Sequence, residues 1–103
     1  MSREQTSGPQ AARWPFPVPA NTAALTTAPV LAGHPILLVS HDAEDGCWQF
    51  LCGTTTDPAA GRVVGIGQLI DGDPSLRQLA DLPRGWRAWR RGPGMPWQRR
   101  AEN

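Results

Sequence analysis

Residues 35–52 read Pro-Ile-Leu-Leu-Val-Ser-His-Asp-Ala-Glu-Asp-Gly-Cys-Trp-Gln-Phe-Leu-Cys, and the fold hangs on them. Ile36-Leu37-Leu38-Val39 is a continuous apolar run. Continuity rather than alternation predicts a strand over Pro35 to Ser40 that is central or buried on both faces. His41 to Gly46 is polar, and Asp45-Gly46 is a strong turn signal. Cys47 to Cys52 then resumes as a strand, with Trp48, Phe50 and Cys52 on one face and Gln49 and Leu51 on the other. The two runs predict a β-hairpin.

Downstream, Gly53 to Gly61 is a polar loop and Arg62 to Ile70 reads as a third strand with Val64, Ile66 and Leu69 inward. Gly65 and Gly67 mark a bulge or a tight crossing within it. Asp73-Pro74-Ser75 is the best helix start in the chain, with Asp73 as cap and Pro74 at the first helical position. Leu76, Leu79 and Ala80 then form one apolar stripe, and the helix ends near Leu82. Trp86 to Arg91 reads as the last strand and residues 92–103 as a tail.

Upstream, Asn21 to Val30 predicts a short turn or an edge strand ended by Pro29. Trp14-Pro-Phe-Pro-Val-Pro19 is forced into an extended backbone by its alternating prolines. It is either an arm laid across the domain or a proline-rich ligand for another protein; the arm is favoured because no clean PxxP with flanking basic residues is present. Residues 1–13 read as a disordered leader. The expected organisation is a leader over 1–13, one domain over 14–97 and a tail over 98–103. The expected fold is α+β: a small sheet of three or four mostly antiparallel strands with one short helix on one face.

The 103 residues allow one core. No apolar run approaches the length of a membrane span, and Met1 to Gln10 lacks the apolar region of a secretory signal. Cys47 and Cys52 are five apart, which places them on opposite faces of one strand and too far apart to bridge. Two unbridged thiols suit a reducing compartment, so a cytoplasmic location is expected. All ten basic residues are Arg, which a GC-rich genome explains without special chemistry.

Net charge is +1 but unevenly laid out. Residues 41–81 hold seven acids against Arg62 and Arg77, and residues 82–103 hold six Arg against Glu102. Four constellations contain residue types that can carry chemistry. His41, Asp42, Glu44 and Asp45 lack both the calcium-loop spacing and the converging ligands of a zinc site, so a solvated hairpin loop with His41 or Asp42 bonding the turn is favoured. Ser40, Ser75, Cys47 and Cys52 lack the context of an activated nucleophile. Gly65-Ile66-Gly67 is no dinucleotide fingerprint, since Gln-Leu-Ile after it still reads as strand. The Arg84 to Arg100 segment interleaves Trp86, Trp89 and Trp97 with arginines. The favoured reading is that some rings are core and the arginines answer the acidic middle. With Trp86 and Ala88 facing one way, Arg87, Trp89 and Arg91 face the other, an interface-like composition. Single-stranded nucleic acid is the alternative partner.

The 35–51 run, Asp73-Pro-Ser-Leu76 and Leu82-Pro-Arg-Gly-Trp-Arg-Ala-Trp-Arg90 together resemble a family of small bacterial domains allied to the immunity-protein-like domains found near polymorphic toxin genes. The likeness covers most of residues 14–97. It implies an α+β domain and toxin neutralisation by direct binding, and its motifs are fold landmarks that bring no catalytic residues with them. The expectation is a non-enzymatic protein-binding domain without cofactor, metal or membrane attachment. Its candidate interface comprises Arg87, Trp89 and Arg91 with the acidic residues Asp42, Glu44 and Asp45.

Overall fold

The structure, a computed structural model, describes residues 14–53 and 58–102; the leader expected over 1–13 lies outside them. Among the described residues, six strands build one mixed sheet: β1 (Ala23–Thr27), β2 (Leu38–His41), β3 (Trp48–Leu51), β4 (Gly61–Gly65), β5 (Trp86–Trp89) and β6 (Gln98–Ala101). Their order is β4-β1-β3-β2-β5-β6. β1 runs parallel to β3, and the other neighbours are antiparallel. Helices α1 (Ala28–Leu31) and α2 (Ile66–Gly72) and two 3-10 helices, Pro58–Ala60 and Pro74–Leu79, accompany the sheet in this α+β fold. No helix among the described residues is long and apolar enough to cross a membrane.

The hairpin of β2 and β3 forms as expected, with Val39 opposite Phe50 and His41 opposite Trp48. Trp48, Phe50 and Cys52 all point into the core. β2 is central but not buried on both faces: Val39 and His41 are buried, whereas Leu38 and Ser40 are half-exposed. The loop turns at Gly46, whose φ is 71°. A Cβ there would also run into the Arg84 guanidinium. Gly46→Ala is expected to cost about 1–2 kcal/mol through the left-handed backbone alone. Urea unfolding measures it, and a variant as stable as the parent would show that the turn relaxes.

Elsewhere the architecture exceeds the expected three or four strands. The segment read as a turn or edge strand is β1, an interior strand between β4 and β3. Its small residues allow this: Ala24 and Thr26 are fully buried, and the Thr26 hydroxyl donates to the Phe50 carbonyl at 2.6 Å. Pro29 sits in the first turn of α1, where a missing N–H costs nothing.

The strand expected over Arg62 to Ile70 stops at Gly65, and α2 begins at Ile66. Ile66, Leu69 and Ile70 stand at i, i+3 and i+4 and are all buried, which is helical spacing. The switch is held from outside, since Ile66 N–H donates to Thr22 and Gly67 N–H to Ala20, both at 2.8 Å. A Cβ on Gly67 would lie 3.0 Å from the Ala20 carbonyl oxygen, so Gly67 marks a tight crossing, whereas a Cβ on Gly65 would make ordinary contact at 3.5 Å. The helix expected from Asp73 to Leu82 is a 3-10 helix that ends at Leu79. Asp73 caps it through the Ser75 N–H at 3.1 Å. Leu76 and Leu79 eclipse at 3-10 spacing and are both fully buried.

The tail expected over 98–103 is largely strand β6, paired in register with β5. A turn at Gly92–Met95, with Gly94 at φ 78°, returns the chain. All four β6 residues are exposed, so the strand has no apolar alternation to announce it.

Helix α2 and the 3-10 helix Pro74–Leu79 share one core with a single face of the sheet: Ile66, Ile70, Leu76 and Leu79 join Val39, Trp48, Phe50 and Ala88. The proline-rich segment is anchored to that core. Phe16 is buried and meets Trp48 edge-on at 5.2 Å, and the Trp14 indole N–H donates to the Val18 carbonyl.

Candidate functional site

Among the described residues, α2 and the 3-10 helix Pro74–Leu79 cover one side of the sheet with their buried side chains. The other side shows two adjacent rows set by strand register. One runs Val63, Leu25, Gln49, Ser40, Arg87, Arg100, and the next contains Leu51, Leu38, Trp89 and Gln98. All of these residues are half-buried or exposed; Val63 is 70 % exposed and Trp89 36 %. Strand alternation places Arg87 and Trp89 here, because Ala88 between them points fully into the core. Leu38, Arg87, Trp89 and Arg100 line a depression of about 310 Å³. Sequence reasoning missed Leu38 and Arg100. Arg100 joins the site only because β6 pairs with β5, and the Gly92-Pro93-Gly94 turn was the available signal for that return.

The remaining candidate residues stand elsewhere. Arg91 lies past the end of β5 and borders a second depression of about 460 Å³ with Trp89, Met95 and Pro96. Asp42, Glu44 and Asp45 occupy the loop at the opposite end of the strands. The six residues therefore do not converge on one site. Two of the acids hold the turn: Asp42 Oδ1 accepts from the Glu44 N–H at 2.7 Å, and Asp45 Oδ1 from the Cys47 N–H at 2.8 Å. Among the described residues, no group of three or more His, Cys, Asp or Glu side chains could hold a metal ion. His41 is buried, stacks on Trp48 at 3.9 Å, and shares a 2.7 Å hydrogen bond between Nδ1 and the Leu82 carbonyl. Gly65 does precede a helix and Gly67 lies in its first turn, contrary to the strand expected there. Position 70 is Ile rather than Gly and β4 runs antiparallel to its neighbour, so the phosphate-binding fingerprint is still missing.

Cys47 and Cys52 are both unbridged. Burial pushes the Cys47 thiol above its ordinary pKa, and the Asp45 and Asp42 charges raise it further. Cys47 is therefore expected to react with iodoacetamide near pH 7 several-fold more slowly than an exposed model thiol. Mass-spectrometric timing measures the ratio, and a rate at or above the model thiol's would contradict it.

The basic end does answer the acidic middle in part. Arg90 pairs with Asp73 at 2.7 Å and Arg99 with Asp81 at 2.9 Å. Arg90 is the more consequential. Its side chain is 1 % exposed, and it also donates to the Ile36 carbonyl at 3.0 Å and the Ser75 hydroxyl at 2.9 Å. Its guanidinium lies 4.3 Å from the centre of the Trp97 ring. Among the described residues, Arg87, Arg91 and Arg100 form no ion pair. No family model, curated protein or solved structure matches the chain, so the functional reading rests on the open face itself.

Proposed function

We propose that this chain is a non-enzymatic protein-binding domain that docks through its open sheet face, centred on Trp89 and Arg87. The observation that carries this reading is an exposed Trp beside an Arg that forms no ion pair among the described residues, on a face floored by Leu25, Leu38 and Leu51. Trp and Arg are the side chains most enriched among residues that dominate binding energy. In the immunity-like form of this proposal, which draws on the sequence resemblance, the partner is a co-encoded toxin neutralised by direct contact. Candidate partners are the products of neighbouring genes. Purified pairs tested by calorimetry should show binding that Trp89→Ser weakens by about 2 kcal/mol or more. If no neighbouring product binds, or if the variant binds as tightly as the parent, the proposal fails.

Arg87, Arg100 and Trp89 on one face also suit a base-stacking, phosphate-contacting surface for single-stranded nucleic acid. That reading requires oligonucleotide binding at low salt that weakens steeply as salt rises.

A further inference from the structure

We propose that Arg87 and Arg100 form a carboxylate-binding site, and that the partner's contact residue on this face is an Asp or Glu next to an apolar side chain. The inference rests on the protein-docking reading above and specifies its chemistry. Arg87 and Arg100 are direct cross-strand partners on β5 and β6. Residues so placed have Cβ atoms about 5 Å apart, and like charges in that arrangement oppose each other. The pairs that do form in this region use other arginines: Arg90 takes Asp73 and Arg99 takes Asp81. Glu102, just past β6, accepts a hydrogen bond from Ser40 at 3.3 Å and ion-pairs with neither guanidinium. Two neighbouring arginines that form no ion pair among the described residues can hold one carboxylate through charge-assisted, fork-shaped hydrogen bonds.

The walls of the depression give the rest of the specificity. Trp89 stands two residues from Arg87 on the same strand, and Leu38 is the cross-strand partner of Trp89. One anionic group is therefore read beside an apolar wall. A nucleic-acid backbone fits this surface less well. The rows continue from Arg87 and Arg100 into Ser40, Gln49 and Leu25 rather than further cations. A single Trp provides no ladder for successive bases. Glu102 and the Asp42–Asp45 loop lie toward one end of the same strands, where an extended polyanion would meet repulsion.

The test uses the ¹⁵N-labelled full chain and three probes: a blocked Ala-Leu-Glu-Leu-Ala peptide, its Gln counterpart, and a thymidine oligonucleotide. The Glu peptide should shift the Trp89 indole, Arg87 and Arg100 signals, and the Gln peptide should bind about tenfold more weakly, the loss of one charge-assisted contact. Arg87→Gln with Arg100→Gln should abolish the difference while leaving the melting temperature within a few degrees of the parent, since both side chains are exposed. Equal binding of the two peptides overturns the proposal, as does an absence of shifts up to the solubility limit. An oligonucleotide that shifts the same signals at lower concentration, with steep salt dependence, overturns it in favour of phosphate. A cognate protein distinguishes this failure from failure of the docking reading. Binding lost with Trp89→Ser but unchanged in the double Gln variant leaves docking intact and removes the carboxylate site. Binding unchanged in both variants removes docking as well.

Discussion

Trp48→Ala is expected to cost about 3–5 kcal/mol, the range for emptying a large aromatic site in a core. Trp48 is 1 % exposed and joins the N-terminal arm to the β2–β3 hairpin. Phe16 of the N-terminal arm meets it edge-on at 5.2 Å, His41 stacks on it at 3.9 Å, and Phe50 lies parallel at 6.1 Å. Truncation leaves those rings facing a void that the β2–β3 ladder prevents from closing. The same site offers a discriminating control. Among the described residues the buried Trp48 indole N–H has no hydrogen-bond partner, so Trp48→Phe removes an unsatisfied donor while leaving a smaller cavity than Ala, and should cost under about 2 kcal/mol. Urea unfolding followed by far-ultraviolet circular dichroism measures both. An Ala variant within about 1 kcal/mol of the parent would show that the arm and hairpin repack without the ring.

Arg90→Met should destabilise the fold by about 3 kcal/mol, the lower end of the range for breaking a buried ion pair. The low end applies because the Asp73 side chain is 29 % exposed, so water can reach the vacated carboxylate. The Ile36 carbonyl is less fortunate, since it loses the Arg90 Nε donor. In a domain of this size the loss corresponds to a drop of roughly 12–24 °C in melting temperature. A loss under about 1 kcal/mol would mean that the pair behaves like a surface salt bridge.

The pair also sets an acid limb. Burial alone would raise the Asp73 carboxyl, but hydrogen bonds from Ser75 and Arg90, together with the guanidinium charge, bring it below its ordinary value. A carboxyl depressed in the folded state contributes stability that is fully present above its unfolded pKa, near 3.9. That contribution is lost as the pH falls through the lower folded value. Stability should therefore decline below about pH 4 in the parent. Arg90→Met should flatten this component, and an unchanged acid limb would assign it to other carboxylates.

The legible parts of the fold are those where burial repeats along a short stretch. Trp48, Phe50 and Cys52 alternate with Gln49 and Leu51, and the hairpin follows from that pattern with the Asp45-Gly46 turn. Asp73 and Pro74 announce a capped helical start, although a stripe of Leu76 and Leu79 does not distinguish a 3-10 helix from an α-helix. Ile66, Leu69 and Ile70 carried helical spacing, but the preceding Val63-Val64 disguised it as more strand. Of the candidate site, the facing of Arg87 and Trp89 was readable because Ala88 between them is a core residue. The grouping of those residues with the acidic loop was not, since it depends on which end of the sheet each occupies.

By itself, then, the sequence determined the α+β class, the 35–52 hairpin with its inward face, and an outward Arg87 and Trp89. Only the tertiary structure decided that Ala23–Thr27 is an interior strand, that Gln98–Ala101 closes the sheet, and that Arg100 therefore stands opposite Arg87. The physical reason is that strand pairing is made by backbone N–H and C=O groups, which every residue but proline supplies in full. A strand of small residues, or one exposed along its whole length, pairs as well as an apolar one while leaving no periodic trace of its neighbours.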